Sequence, residues 1–252
     1  MSKLFDLNGK TAIVTGANTG LGQGIALALA DAGAAISLVG RSAPDETVAQ
    51  IEASGGKYCV IKADLSELDD IDQIIKQSRA ELGGADILVN NAGIIQRNEA
   101  LDFTVEEWDS VLNVNLRTVF FLSQAFARQC VDANQCGKVI NIASMLSYQG
   151  GIRVPSYTAS KSGLMGLTRA LANEWASKNI NVNAIAPGYF ATNNTAALQA
   201  DPQRNADILG RIPAGRWGTP SELGGAAVFL ASAASDYVHG TTLAVDGGWL
   251  AR

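Results

Sequence analysis

The chain has 252 residues, of which 47% are hydrophobic and 17% are charged, and its formal net charge is −5. This composition excludes a disordered or fibrous chain and is typical of one large α/β domain, or less readily of two small ones. A net negative charge without a basic block argues against nucleic acid or an anionic membrane as partner, and no apolar run is long enough to span a bilayer.

Short apolar runs alternate with helical patterns from the first residues onward. A β-branched run at 10–15 is interrupted by the turn Gly16-x-x-x-Gly20-x-Gly22, and a helical pattern then extends to Gly33. The next strand, at 35–39, completes a strand–helix–strand unit, which is the context in which such a turn binds a pyrophosphate. The glycine spacing differs from the more familiar G-x-G-x-x-G.

The same alternation continues to the end of the chain. We predict strands at 58–61, 86–90, 139–143, 180–185 and 241–245, and helices at 71–82, 105–130, 156–178 and 223–231. About seven strands alternating with helices predict an α/β fold: one Rossmann-type, doubly wound domain over 1–252, with a parallel sheet and helices on both faces. In this architecture ligands bind beyond the carboxyl ends of the strands.

The segment 189–213 follows the break at Pro187-Gly188 and is rich in Asn, Thr and Gln. It is either a loose surface excursion or a lid over a site. Long loops in compact domains favour the lid.

Cysteine and histidine usage narrows the chemistry. Cys59, Cys130 and Cys136 are unevenly spaced and form no C-x-x-C pair, which is typical of reduced thiols in the cytoplasm. The first residues lack the apolar segment of a secretion signal, so we expect a cytoplasmic protein. A zinc site or a histidine-based triad would have to rest on His239 alone, so we expect no metal.

Tyr157 and Lys161 lie four positions apart, which on a helix places a phenol beside an ammonium. Tyrosine titrates at about pH 10, and a nearby positive charge favours the phenolate, so we expect Lys161 to lower the Tyr157 pKa. Ser144 directly follows the buried run at 139–143. Together the three side chains can polarise a carbonyl and give it a proton. Taken alone, the Tyr-Lys spacing fits an ordinary helix shoulder equally well.

Six motifs occur in a fixed order along the chain: Thr15-Gly16-x-x-x-Gly20-x-Gly22, Asn90-Asn91-Ala92-Gly93, Asn115, Ser144, Tyr157-x-x-x-Lys161 and Pro187-Gly188. With them the chain resembles the short-chain dehydrogenase/reductase family over about 10–248. The resemblance implies an NAD(P)-dependent enzyme acting on CH–OH groups, and a homotetramer built through the long helices, the last helix and the last strand.

The resemblance also implies residue roles. Tyr157 would be the general acid/base, Lys161 would hold the nicotinamide ribose, Ser144 would bind the substrate carbonyl, and Asn115 would hold a relay water. The implied cofactor contacts, in addition to Tyr157 and Lys161, are Gly16, Asn18, Thr19, Gly20, Leu21, Gly22, Arg41, Asp64, Leu65, Asn91, Gly93, Pro187, Gly188, Phe190 and Thr192.

Several segments are closer to members that act on sugar acids in bacterial breakdown of pectin and related uronates: 143–157, 173–175, 186–188, 193–195, 212–217 and 244–252. This likeness implies a ketone and a secondary alcohol on a sugar acid. A substrate carboxylate calls for an arginine, and Arg153 and Arg97 both border the expected site. Gln149 and Asn194 are candidates for the hydroxyls. A ketoacyl or polyol reductase, or a non-catalytic dinucleotide sensor, stays open as an alternative.

The choice between NAD and NADP rests on the end of the second strand. An acidic residue there would bind the ribose 2′-hydroxyl and repel a phosphate. The sequence has Gly40, Arg41 and Ser42, and Arg41 suits a phosphate, whereas the family likeness favours NAD. We therefore expect both cofactors to bind.

Overall fold

The computed structural model describes residues 3–252. Met1 and Ser2 lie outside the described residues. The predicted domain and the predicted absence of a secretion signal both include them. Within 3–252 there is no helix with the length and apolarity to cross a membrane.

Seven parallel strands form one sheet in the order β3-β2-β1-β4-β5-β6-β7. Their bounds are Thr11–Thr15 (β1), Ala35–Gly40 (β2), Tyr58–Lys62 (β3), Ile87–Asn90 (β4), Gly137–Ile142 (β5), Ile180–Pro187 (β6) and Thr242–Val245 (β7). The chain starts in the centre at β1, builds outward to β3, and then returns to β4 on the other side. This reversal creates a crevice at the carboxyl ends of β1 and β4, where such sheets bind ligands.

Nine α-helices connect or flank the strands in the described part of the chain: Gly20–Asp31 (α1), Asp45–Ala53 (α2), Ile71–Leu82 (α3), Val105–Leu112 (α4), Thr118–Asp132 (α5), Pro155–Trp175 (α6), Ala196–Ala200 (α7), Pro202–Arg211 (α8) and Gly224–Ala231 (α9). Ile25 of α1 and Leu230 of α9 belong to one buried cluster, whereas Phe126 of α5 and Leu171 of α6 belong to another. The two clusters confirm the prediction of helices on both faces of the sheet.

Two local features differ from the predictions. The helix α2 was not predicted, because only Thr47 and Ile51 of its nine residues are buried and its apolar pattern is therefore weak. The predicted helix 105–130 is two helices, α4 and α5, joined by the π-helical turn Asn113–Arg117. π-Helical turns of this kind are rare and often mark functional sites.

The segment 189–213 is not a loose excursion, because it contains α7 and α8. The Asp201 side chain caps α8 by accepting hydrogen bonds from the Gln203 and Arg204 backbone N–H groups, both at 3.1 Å. Ile208 of α8 packs against a small core that contains Met145 and Trp249. The segment therefore folds onto the loops at the carboxyl end of the sheet.

Candidate active site

Ser144 follows β5 in an extended conformation, and its Oγ accepts a hydrogen bond from the Leu146 N–H at 3.1 Å. This contact starts the short 3₁₀ turn Met145–Ser147. The Ser147 hydroxyl donates to the Lys161 carbonyl at 2.7 Å, which ties the turn to α6. Tyr157 lies on the first turns of α6. Its phenol interacts with the Ser144 hydroxyl. The predicted Ser-Tyr pair is therefore brought together by β5, the turn and α6.

Lys161 lies beneath the phenol, with its Nζ 5.6 Å from the Tyr157 ring centroid. The Nζ donates a hydrogen bond of 2.5 Å to the Ile142 carbonyl at the end of β5. Only 4% of the residue is exposed, and this burial lowers the Lys161 pKa from its ordinary 10.5 to about 8. The ammonium is thus held charged at neutral pH, in a site where charge is costly.

The Tyr157 pKa is raised, so the prediction that Lys161 lowers it is wrong. The main cause is burial of the phenol, which disfavours its charged form. The Ser144 hydrogen bond and the positive charge of Arg97 act in the opposite direction. Because burial outweighs both, Tyr157 is held in the protonated form that can donate to a carbonyl.

Asn115 lies in the π-helical turn and is fully buried. Its Oδ1 accepts from the Ile94 N–H and its Nδ2 donates to the Ile94 carbonyl, both at 2.9 Å. A Cβ added to Gly93 would lie 3.2 Å from the Asn115 Oδ1 and 3.8 Å from the Lys161 Nζ. Asn115 therefore fixes the loop after β4 close to Lys161, and its role in a water relay stays a prediction.

The glycine turn after β1 leaves no room for larger residues. Gly16 and Gly20 have φ angles of 66° and 60°, in the left-handed region that favours glycine. A Cβ on Gly22 would lie 2.1 Å from the Gly16 carbonyl oxygen. The Asn91 Nδ2 donates to the carbonyls of Thr15 and Gly16, at 2.9 and 3.1 Å. Asn91 therefore braces the turn, and its predicted contact with the adenosine ribose stays a prediction.

This turn fits the pyrophosphate of a dinucleotide. Thr19 precedes α1 without capping it through its side chain, and the first turn of α1 has no acidic residue. The N–H groups at this helix start are therefore available to an anion, which the helix dipole also favours. Asn18 and Leu21 are half-buried and Thr19 is exposed. Thr192, from the segment after β6, lies close to Gly20: a Cβ added to Gly20 would be 3.5 Å from the Thr192 Cγ2.

The predicted adenosine end lies beyond β2 and β3. The Arg41 Nη1 lies 3.9 Å from the Asp64 Oδ2, and hydrogen bonds from Ser66 lower the Asp64 pKa, with a smaller contribution from Arg41. Both residues line a groove of about 390 Å³ together with Lys62, Ala63 and Asp70. The neighbouring Leu65 is buried, and its carbonyl accepts from the Thr118 hydroxyl at 2.8 Å.

Lys62 is a basic residue of this groove that was not predicted. Lys62 on β3 is paired with Gly40 on β2, so both positions lie on the same face of the sheet. Gly40 has no side chain there, and the Lys62 side chain therefore projects beside an empty position. The position of Lys62 follows from the register between β2 and β3. The residue pattern along β3 alone does not contain this register.

The predicted nicotinamide end is formed by the chain that leaves β6. The Gly188 N–H donates to the Val245 carbonyl at 2.9 Å, and a Cβ at this position would meet the Asp246 Cα at 2.5 Å. The Phe190 side chain is buried in the core cluster around α1. Any contact of Phe190 with a cofactor would therefore be made by its backbone.

The candidate substrate residues lie on the loops that follow β4, β5 and β6. Arg97 is near enough to act on the Tyr157 pKa. Arg153 is paired with Glu99, with the Arg153 Nε 3.1 Å from the Glu99 Oε1. Gln149 is half-buried just after the Ser144 turn, whereas Asn194 is exposed on the turn Asn193–Thr195. Glu99 was not predicted, since nothing in the sequence relates it to Arg153.

Comparisons with known proteins agree with this geometry. The family model described as Enoyl-(Acyl carrier protein) reductase matches residues 16–250. A 2-dehydro-3-deoxy-D-gluconate 5-dehydrogenase of Escherichia coli (strain K12) is 61% identical over 248 residues, 98% of either chain. The structure of a proposed 2-deoxy-D-gluconate 3-dehydrogenase from Agrobacterium tumefaciens with bound NADP is 57% identical, with a TM-score of 0.95 and full coverage of both chains.

A third similar structure, a gluconate 5-dehydrogenase from Burkholderia cenocepacia J2315 in complex with NADP and tartrate, is 38% identical and has a TM-score of 0.93, with 99% of this chain and 98% of that chain covered. The chain belongs to the short-chain dehydrogenase/reductase family. It is accordingly an NAD(P)-dependent oxidoreductase that acts on CH–OH groups, as the sequence resemblance implies.

Proposed function

We propose that this protein is a 2-dehydro-3-deoxy-D-gluconate 5-dehydrogenase of the cytoplasm, which interconverts 2-keto-3-deoxygluconate and 2,5-diketo-3-deoxygluconate in the breakdown of pectin and related uronates. The observation that supports it best is the position of Arg97, whose positive charge acts on the Tyr157 phenol. A proton donor near an exposed cation suits a ketone and a carboxylate on one small molecule. The relative from E. coli carries this activity in its name.

In the proposed mechanism each side chain has one task. The nicotinamide, when bound, supplies or accepts the hydride. The Tyr157 phenol donates its proton to the ketone oxygen during reduction and takes it back during oxidation. The Ser144 hydroxyl hydrogen-bonds the same oxygen. Lys161 stabilises the phenolate that reduction leaves behind and holds the nicotinamide ribose, and Asn115 holds the water that returns the proton from solvent.

The proposed cofactor residues divide into three groups along the crevice. The pyrophosphate would rest on the turn Gly16–Gly22 with Asn18, Thr19, Gly20 and Leu21, and the adenosine on Arg41, Asp64, Leu65 and Asn91. The nicotinamide would lie near Gly93, Pro187, Gly188, Phe190 and Thr192. The uncapped start of α1 and the close approach of Gly20 to Thr192 support this placement.

The segment 189–213 is proposed as the lid over the substrate. Its two ends are held by aromatic contacts, since Tyr189 packs edge-on against both Trp217 and Trp249, with ring centroids 5.4 and 4.8 Å apart. The Arg211 guanidinium lies 4.0 Å from the Trp249 ring centroid. Asn194, on the exposed turn between these ends, would reach a substrate hydroxyl when the lid closes, with Gln149 opposite.

A homotetramer is the proposed assembly, through α4, α5, α6, α9 and β7. Val105, Trp108 and Phe121 are large apolar residues left exposed on α4 and α5, which is typical of an interaction surface. Light scattering at micromolar concentration is expected to give the mass of a tetramer. A monomer mass would rule the assembly out.

Arg41→Ala is expected to lower kcat/KM for NADPH selectively, by about tenfold or more, because a charge-assisted contact to the 2′-phosphate is lost. The measurement is kcat/KM for NADH and NADPH in the wild type and the variant. Lys57→Met, which removes an exposed cation just before β3, is the matched control and should change neither value. Equal losses for both cofactors would show that Arg41 does not read the phosphate.

A panel of substrates tests the proposed function itself. The near-ultraviolet absorbance of the reduced nicotinamide is followed in the direction that each substrate allows: oxidation of 2-keto-3-deoxygluconate and of an uncharged polyol, and reduction of a ketoacyl thioester. The proposal expects kcat/KM to be highest for the sugar acid. A higher kcat/KM for the thioester or the polyol would show that this class of compound, and not a sugar acid, is the substrate.

A further inference from the structure

The rim of the site contains an ion pair that no catalytic role explains. The Arg153 Nε lies 3.1 Å from the Glu99 Oε1, and 54% and 65% of the two side chains are exposed. Glu99 follows Arg97 by two residues, and Arg153 precedes Tyr157 by four. The pair therefore lies across the two loops that border the phenol.

The backbone holds Arg153 in this place. Its φ angle is +64°, and the other two non-glycine residues with positive φ in the described chain, Asn134 and Asn179, are asparagines, which tolerate this region. The Asn98 N–H donates to the Arg153 carbonyl at 3.1 Å, so the loop before Glu99 is joined to the loop before α6. Arg153 is thus presented to the rim by a fixed loop, while the exposed Glu99 side chain is free to leave.

We propose that Glu99 occupies the position of the substrate carboxylate, and that a sugar acid displaces it from the Arg153 guanidinium. This inference rests on the proposed function. Both carboxylates suit the same planar guanidinium, and an exposed ion pair is weak enough to exchange. A neutral ketone has no carboxylate to exchange with Glu99 and leaves the ion pair in place, so Glu99 competes with anionic substrates alone and sets the affinity of the site for them.

Glu99→Gln is expected to lower KM for 2-keto-3-deoxygluconate about two- to fivefold, the range of an exposed ion pair, and to leave KM for the primary amide of the same acid unchanged. Glu99 is exposed, so the variant should keep its fold. The matched control is Glu106→Gln, which removes an exposed carboxylate on the first turn of α4 and should leave both KM values unchanged. An unchanged or higher KM for the acid in Glu99→Gln would overturn the inference, as would an equal fall for the amide or in the control.

A double-variant cycle isolates the exchange from general charge effects. Arg153→Met should raise KM for the acid by about tenfold or more, and in that background Glu99→Gln should have no further effect. Persistence of the Glu99→Gln effect without Arg153 would also overturn the inference. Calorimetric titration of the acid into the protein with NADPH, which is reduced like the acid and cannot oxidise it, gives the same comparison without turnover. Absence of turnover in the wild type would count against the proposed function. The affinities measured by calorimetry would still show whether Glu99 competes with the acid for Arg153.

Discussion

Tyr157→Phe is expected to lower turnover by about 10²- to 10⁴-fold, the range for a positioned acid–base group, and to leave cofactor affinity near normal. The substitution removes the transferable proton but keeps the ring, whose packing places it 5.6 Å above the Lys161 Nζ. The measurements are kcat in both directions and the dissociation constant for the reduced cofactor.

The control for this variant is Tyr148→Phe. Tyr148 is an exposed tyrosine of the neighbouring loop, and its hydroxyl donates to the Thr242 carbonyl at 3.3 Å. It should retain the kcat of the wild type. A Tyr157→Phe variant whose kcat stays within about tenfold of the wild type would show that another group transfers the proton.

Lys161→Met is expected to lower kcat by about 10²-fold or more, because the developing phenolate loses its buried cation. The same substitution separates function from stability. The Lys161 pKa is about 8 in the folded protein and 10.5 when exposed, so the charged form disfavours folding. This cost is fully present below about pH 8 and is relieved as the pH rises towards the unfolded value.

The free energy of unfolding of the wild type, relative to Lys161→Met, should therefore rise by about 2 kcal/mol between about pH 7 and about pH 9.5. Urea unfolding of both proteins at the two pH values measures it. Lys178→Met, which removes an exposed lysine shortly after α6, should show no such pH dependence and should keep its activity. A difference in stability that is constant or falls with pH would mean that Lys161 is not desolvated in the folded protein.

The fold was predictable because its signals are local. The helix α3 was predicted at its observed bounds, since its apolar residues recur at helical spacing and bury Ile71, Ile74 and Ile75. By contrast, α2 buries two of its nine residues and left no such pattern. The parallel sheet followed from the alternation of strands and helices, which does not depend on knowing any single contact.

The candidate site was predictable only in part, for a similar reason. Ser144, Tyr157 and Lys161 are close in sequence, and their spacing on a strand end and a helix already places them together. The direction of the Tyr157 pKa shift depends on burial by the whole fold and on Arg97, which comes from another loop. The Glu99–Arg153 pair and the position of Lys62 opposite Gly40 also join distant segments, so they required the structure.

Oxidation of a single hydroxyl group of a sugar acid by this enzyme is tested most directly by ¹³C NMR of the reaction products. The wild type is incubated with 2-keto-3-deoxygluconate and an excess of the oxidised cofactor, NAD⁺ or NADP⁺. We expect one new ketone, at carbon 5, with the carboxylate and the ketone at carbon 2 unchanged. A new carbonyl at any other carbon, or an unaltered spectrum with both cofactors, would contradict it.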